Sequence, residues 1–546
     1  YQALTNLTTG DENVAIGIYA GYTLAATSDC VLIGRNAGYN INNTDADGAV
    51  AVGYKALEDL TDGAYNVALG YQSGKNITTG DANTTLGYNA GAGLVDDSNN
   101  TLIGYKAGES SVASNTVAIG YDTIKGSVTT GANGTVAIGY QALTALTSGG
   151  SNTAIGYQSA KALTTGGNNI AIGYDSFKSA VDACNSNVAI GVQAMTSVDR
   201  GSDGSATVNG NIAVGYNALA GGDFVDQDKD LVGNIAIGKN TLDATGANAQ
   251  TGTIAIGHEA LTALTSGVEN IAIGYESLKA LTTGNGNTVL GYQALIGHVG
   301  GQYNTAIGWK AMDDTDSGAN AYNSNNNVAI GANSLGGTWA SATTEFNVAV
   351  GNNTMASSIN GAVNNTAVGH AALQSLTTGD HNIAIGYQSG DAITTTSGTI
   401  AIGLGAAGAI STTGDYTIAI GYGAMGGAQI GDGNIAIGYQ SMQNANSAGL
   451  HRNIAIGYQT MANVGSNGPD DNIAMGYTAL NDITTGGYNV GIGSYVLENL
   501  TTTNDNVAVG FVAGRRITGQ RNISIGSYAL DYGYVVDDSV AIGYQS

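Results

Sequence analysis

Residues 152–168 read NTAIGYQSAKALTTGGN, and variants of this sentence fill the chain. A short aliphatic block closed by glycine recurs 30 times, at Gly17, Gly34, Gly53, Gly70 and onward to Gly543, most often 17 residues apart. Self-similarity at a fixed short period is the signature of a solenoid, in which each repeat buries its apolar side only against its neighbours. With the glycine as position zero, position −3 is Val, Ile or Thr in all 30 copies and −1 is aliphatic in all 30. Branching at Cβ favours a strand, so each turn is expected to carry a short strand whose side chains alternate between two faces.

Position −2 is Ala in 24 copies; the exceptions are Leu32, Thr85, Leu102, Val289, Gly491 and Ser524. The bulky −1/−3 face is expected to fill a core. The small −2 face implies close approach of another backbone, either the opposite wall of a thin coil or, the preferred reading, a partner chain. Position −4 is Asn in 22 copies, including Asn152, Asn270 and Asn506, and +1 is Tyr in 17, including Tyr157 and Tyr275. Such columns of one residue type are assigned as structural ladders from turn to turn. Glycosylation fits the asparagines poorly, because Asn152-Thr153-Ala154 and its relatives lack Ser or Thr two places on. After the glycine, +1, +4 and +7 are expected to face inward and +2 and +5 to face water, as the lysines at 75, 125, 161, 178 and 279 suggest. That spacing suits a short helical turn capped by Gly166 or Gly284, or a bent strand.

Stacked strands lie about 4.8 Å apart and packed helices about 8–10 Å, so a straight coil cannot hold a full α-helix in every turn. The expected fold is therefore all-β, a parallel β-solenoid of about 30 turns and of order 140 Å long. The alternative is a curved strand-plus-short-helix solenoid resembling leucine-rich repeats. Residues 1–546 read as one continuous repeat region, a piece of a longer chain, with inserted loops near 192–210, 218–233, 309–326 and 335–346. The single proline, Pro469, falls in the lengthened stretch 465–471.

Asn-Val-Ala-Ile-Gly at 187–191 and 327–331 resembles the head repeats of YadA-type trimeric autotransporter adhesins. The full unit at 152–168 looks more like repeats in tail-fibre and appendage proteins of marine phages. The resemblance covers essentially the whole chain and is that of a repeat. It implies a trimer of left-handed parallel β-rolls used for adhesion or host contact. The longer turn, with its extra Tyr-Gln-Ala-Leu segment, departs from that pattern and leaves coil handedness and cross-section open.

Composition narrows the function classes. The chain holds 85 Gly, one Pro and 10% charged residues, with a net charge of −25. Nucleic-acid binding is disfavoured, because phosphate contacts need clustered Lys and Arg. No apolar run is long enough to span a membrane. No metal spacing, Ser–His–Asp order or phosphate loop emerges around His258, His298, His370, His381 and His451, so no cofactor and no enzyme activity are expected. The acidic loop residues Asp223, Asp226, Asp228 and Asp230, with Asp313, Asp314 and Asp316, read as solvated turns or, next, as a weak calcium site. Cys30 and Cys184, nine turns apart, are too distant for a disulfide.

Inserted loops are where contact specificity is expected. Asp223, Phe224, Asp226, Asp228, Trp339 and Phe346 are the candidate binding residues, with packing of the aromatics onto the coil as the plain alternative. The expected function is a structural and adhesive fibre, extracellular or on a cell surface or virion. It would self-associate as a homotrimer and touch a surface glycan or protein receptor. The alternatives are a polysaccharide-degrading tailspike-like solenoid, whose mark is a pair of carboxylates in a groove, and an ice- or ligand-binding solenoid. Adjacent threonines such as Thr164-Thr165 point to opposite faces and do not make a flat array.

Overall fold

The computed structural model describes every residue except 1, 111, 199–206, 222–229, 246–248, 316–322, 340–341, 411, 413, 428–429, 446–448, 466–467 and 532–534. The chain divides into two compact units, Tyr1–Ile273 and Gly274–Ser546, and each is a parallel β-solenoid. In the first unit the strands run from Val14–Ile16 to Ile271–Ile273; in the second they run from Thr288–Leu290 to Val540–Ile542. Within each unit the strands of the main sheet are the −3 to −1 blocks, and successive copies pair in register. Thus Val136 faces Thr153, Ala137 faces Ala154 and Ile138 faces Ile155.

Glycine at position zero is dictated by geometry. Gly156 adopts φ +140, and a Cβ there would lie 2.3 Å from the Gly173 carbonyl oxygen. The backbones of successive turns touch at this corner, so no side chain fits.

The segment after the glycine is not helical. Among the described residues no α-helix occurs, and the helical pieces are 3-10 turns such as Thr44–Ala46 and Thr130–Ala132. Positions +2 and +4 are left-handed, as in Gln158 (φ 52) and Ala160 (φ 47). Their amides leave the turn: Gln158 N–H donates to Tyr140 O in the preceding turn, and Ala160 N–H donates to Ser176 O in the next. A left-handed L-residue costs on the order of 1 kcal/mol. Bonding between turns offsets that cost, because otherwise these amides would go without a partner in the protein.

The two strand faces are the reverse of the sequence expectation. The −2 residues point into the coil; Ala137, Ala154 and Ala189 are fully buried. The −1 and −3 residues point outward, with Ile16 60% and Leu290 47% exposed. The interior is filled instead from the opposite wall, by residues at +4 and +7 such as Leu143 and Leu146. Gly491 shows how little room remains at −2, since a Cβ there would meet Leu480 Cδ1 at 2.3 Å. The small face therefore meets the opposite wall of its own thin coil, not a partner chain. Position +1 is corrected too: Tyr140 and Tyr157 face outward, while +4 and +7 face inward.

Candidate interaction surface

Strand alternation places columns −3 and −1 side by side on the outside of each unit, and the +1 tyrosines beyond the glycine corner extend the apolar band. Exposed members include Val67, Leu69 and Tyr71 in one turn, and Ile383, Ile385 and Tyr387 in another. A monomer's largest apolar patch is normally a few hundred Å², and larger ones mark contact sites. Beyond the tyrosines the surface turns polar. Ion pairs between +2 and +5 recur, with Lys55–Glu58 at 3.0 Å, Lys178–Asp175 at 2.9 Å and Lys279–Glu276 at 2.7 Å.

The tyrosines form stacks. Tyr54, Tyr71, Tyr88, Tyr105, Tyr121, Tyr140, Tyr157 and Tyr174 lie face to face, with ring centroids 4.9–5.3 Å apart and planes within 21° of parallel. Tyr275 stacks on Tyr292 at 5.2 Å. A second run links Tyr422, Tyr439, Tyr458 and Tyr477 at 5.0–5.2 Å.

The −4 asparagines lie inside the coil. Asn169 donates from both its backbone N–H and its Nδ2 to Asn152 Oδ1, each at 3.0 Å, and its Nδ2 also reaches Cys184 O at 2.7 Å. Asn187 repeats the arrangement on Asn169, and Asn506 repeats it on Asn489. Asn152, Asn270 and Asn506 are fully buried. Each amide satisfies its own polar atoms by bridging neighbouring turns, so burial leaves nothing unpaired.

Of the loop residues singled out from sequence, Asp223, Phe224, Asp226 and Asp228 lie outside the described residues. Trp339 is fully buried and its backbone N–H donates to Asp314 O, so it packs the loop onto the coil. Phe346 is 53% exposed and left-handed (φ 58) at the corner that leads into Val348. Around the first two insertions the chain adds a second, three-stranded parallel sheet from Val208–Asn209, Leu231–Val232 and Gln250–Thr251. Thr207 N–H donates to Asp230 Oδ1 there at 2.8 Å, so these insertions do meet.

Sequence reading missed a cleft of about 510 Å³ lined by Thr44, Asp45, Asp47, Asp62, Asp81 and Tyr65. The lengthening by two residues between Gly34 and Gly53, where the 3-10 turn lies, was its signal. Its carboxylates hold the coil: Asp47 Oδ1 accepts from Ser28 N–H, Asp81 Oδ1 from Ala64 N–H and Asp62 Oδ1 from Asn43 Nδ2.

Two titratable groups stand out. Burial pushes the Asp243 carboxyl up to about 6. It also drives His298, fully buried between Thr315 Oγ1 (3.0 Å) and Asn304 Nδ2 (3.3 Å), down to about 4. Cys30 and Cys184 are both buried and not joined in a disulfide, and burial raises Cys30 to about 11. Among the described residues, no three His, Cys, Asp or Glu side chains gather to hold a metal, and no helix is long and apolar enough to cross a membrane.

The recurring threonines at +8 use their hydroxyls internally. Thr147 Oγ1 donates to Thr164 O and Thr282 Oγ1 to Val299 O, each at 3.0 Å. No protein-family model and no curated protein matches this sequence.

Proposed function

We propose that this chain is the shaft of a structural and adhesive fibre that works outside a cell or on a virus particle. Parallel copies associate, as a homotrimer, through the outward −3 and −1 columns, which leaves the +1 tyrosines open to solvent. The observation that carries this reading is the band itself: branched aliphatic side chains in every turn of both units, facing out of a coil whose interior is already full. Burying apolar area contributes roughly 25 cal/mol per Å², so a column of this kind left in water forgoes a large stabilisation at every turn. In-register parallel pairing gives each turn the same outward face, which lets one contact repeat along a partner of the same period. Inserted loops at the corners, with Phe346 exposed on one of them, are left to meet a surface glycan or protein receptor.

The reading includes no catalytic centre. Asp47 and Asp81 of the cleft and the +8 threonines, on which the tailspike and ice-binding alternatives would draw, are engaged with the backbone of the coil. Light scattering on the purified chain tests the assembly: three chain masses support the fibre, and a monomer at micromolar concentration overturns it.

A further inference from the structure

The eight-tyrosine stack of the first unit has more than a packing consequence. Its rings are parallel and about 5 Å apart. From Tyr71 to Tyr174 they are 40–50% exposed, and among the described contacts none of their hydroxyls is hydrogen-bonded to protein. The run is bounded, because the turn before Tyr54 carries Arg35 and the turn after Tyr174 carries Val192 at the same position. Identical neighbouring rings have nearly equal oxidation potentials, so an electron vacancy created on one exchanges with the next at little energetic cost. Arg35 and Lys55 lie over Tyr54 at 6.0 and 5.7 Å, and Lys106 lies over Tyr105 at 5.7 Å. A cation at a ring face opposes removal of an electron from that ring. The vacancy is thereby directed to the rings without cations, above all Tyr121, Tyr140, Tyr157 and Tyr174.

We infer that this stack is a site of oxidative tyrosine–tyrosine cross-linking between successive turns, driven by a one-electron oxidant. Each of two neighbouring tyrosines gives one electron to the oxidant and its hydroxyl proton to water. The two phenoxyl radicals join through a carbon–carbon bond between their ortho positions. The hydrogens on those carbons then move, through solvent, to the oxygens and restore both phenols. Two equivalents of oxidant are reduced and two protons released for each bond. The product staples one turn to the next from outside the coil. The two cysteines are buried and not bridged, so no disulfide does this.

The test uses the full chain and photo-excited tris(bipyridyl)ruthenium with persulfate as the oxidant. The tryptic peptides ending at Lys161 and Lys178 carry Tyr157 and Tyr174. They are expected to appear joined, and Tyr140–Tyr157 to appear as a cross-link inside the first peptide. Tyr157→Phe keeps the stacked ring but has no phenol, so both products should vanish while circular dichroism stays unchanged. Tyr65, Tyr303, Tyr416 and Tyr488 are 61–74% exposed and stand outside the stacks, and so serve as internal controls. Cross-linking mainly through these residues, cross-linking only between molecules, or persistence of the joined peptides in Tyr157→Phe would each overturn the proposal.

Discussion

Leu32 occupies the space that Gly38 leaves empty. A Cβ on Gly38 would lie 2.8 Å from Leu32 Cδ2, and Gly21, on the other side, would meet Leu32 Cδ1 at 2.9 Å. Leu102 stands in the same relation to Gly91 and Gly108. Where the strand position that is usually Ala becomes Leu, the facing +4 positions of both adjoining turns become Gly, and interior volume is conserved. Leu32→Ala should cost about 2–4 kcal/mol in a thermal or urea melt. Adding Gly38→Leu, a residue accepted in the same left-handed setting at Leu57, should recover part of that loss, and additive effects would refute the pairing.

The asparagine ladder should tolerate threonine better than alanine. Asn169→Ala removes the acceptor for two donors of Asn187 and the donor to Cys184 O. Stranding buried polar groups in this way should cost about 2–4 kcal/mol. Threonine already stands in the column at Thr116 and Thr135, where each hydroxyl turns back to its own turn, on Ala113 O at 2.7 Å and Ala132 O at 2.9 Å. Asn169→Thr should therefore melt above Asn169→Ala.

Acid should affect the two units in opposite directions. His298 in the second unit has its folded pKa lowered from 6.5 to about 4, so the folded state binds fewer protons than the unfolded state between those values. Stability is kept above pH 6.5 and falls as pH drops toward 4, by about 3 kcal/mol at most. Asp243 in the first unit is raised from 3.8 to about 6. Its effect is stabilising at low pH and is lost as pH rises through 6. Hydrogen exchange at pH 7 and pH 4.5 should show weaker protection around His298 and stronger protection around Asp243 in acid. The acid loss should disappear in His298→Gln.

Outward charge should break assembly without breaking the coil. Ile155→Lys with Ile172→Lys places two ammonium groups on the −1 column, which points away from the interior. Monomeric mass with an unchanged far-ultraviolet spectrum is the expected result. Unfolding would mean that these side chains are needed inside.

The strands, their spacing, the obligate glycine corner and the asparagine column were legible because each rests on a local rule that holds copy after copy. Which strand face turns inward was not. Alternation shows that Ala154 and Ile155 face oppositely, but the choice between them depends on the opposite wall, where Leu143 and Leu146 already fill the coil. The paired exchange of Leu32 with Gly21 and Gly38 was the available signal, and it required comparing adjacent repeats rather than averaging them. Tyr157 was expected inward from the spacing of +1, +4 and +7, yet it has its neighbours' rings to stack on outside. Trp339 looked like a contact residue because it sits in a long loop, but its size lets it seal that loop against the coil.

Asn187 and Asn211 are 24 residues apart in sequence, against the usual 17, yet they make the same bonds as any other neighbours in the ladder. Val188 still faces Ile212 in register. The coil thus measures distance by its strands and ignores what is spliced between them. Such a corner is a ready socket for grafted peptide: an engineer, or natural recombination, can exchange the inserted segment there while every other turn keeps its place.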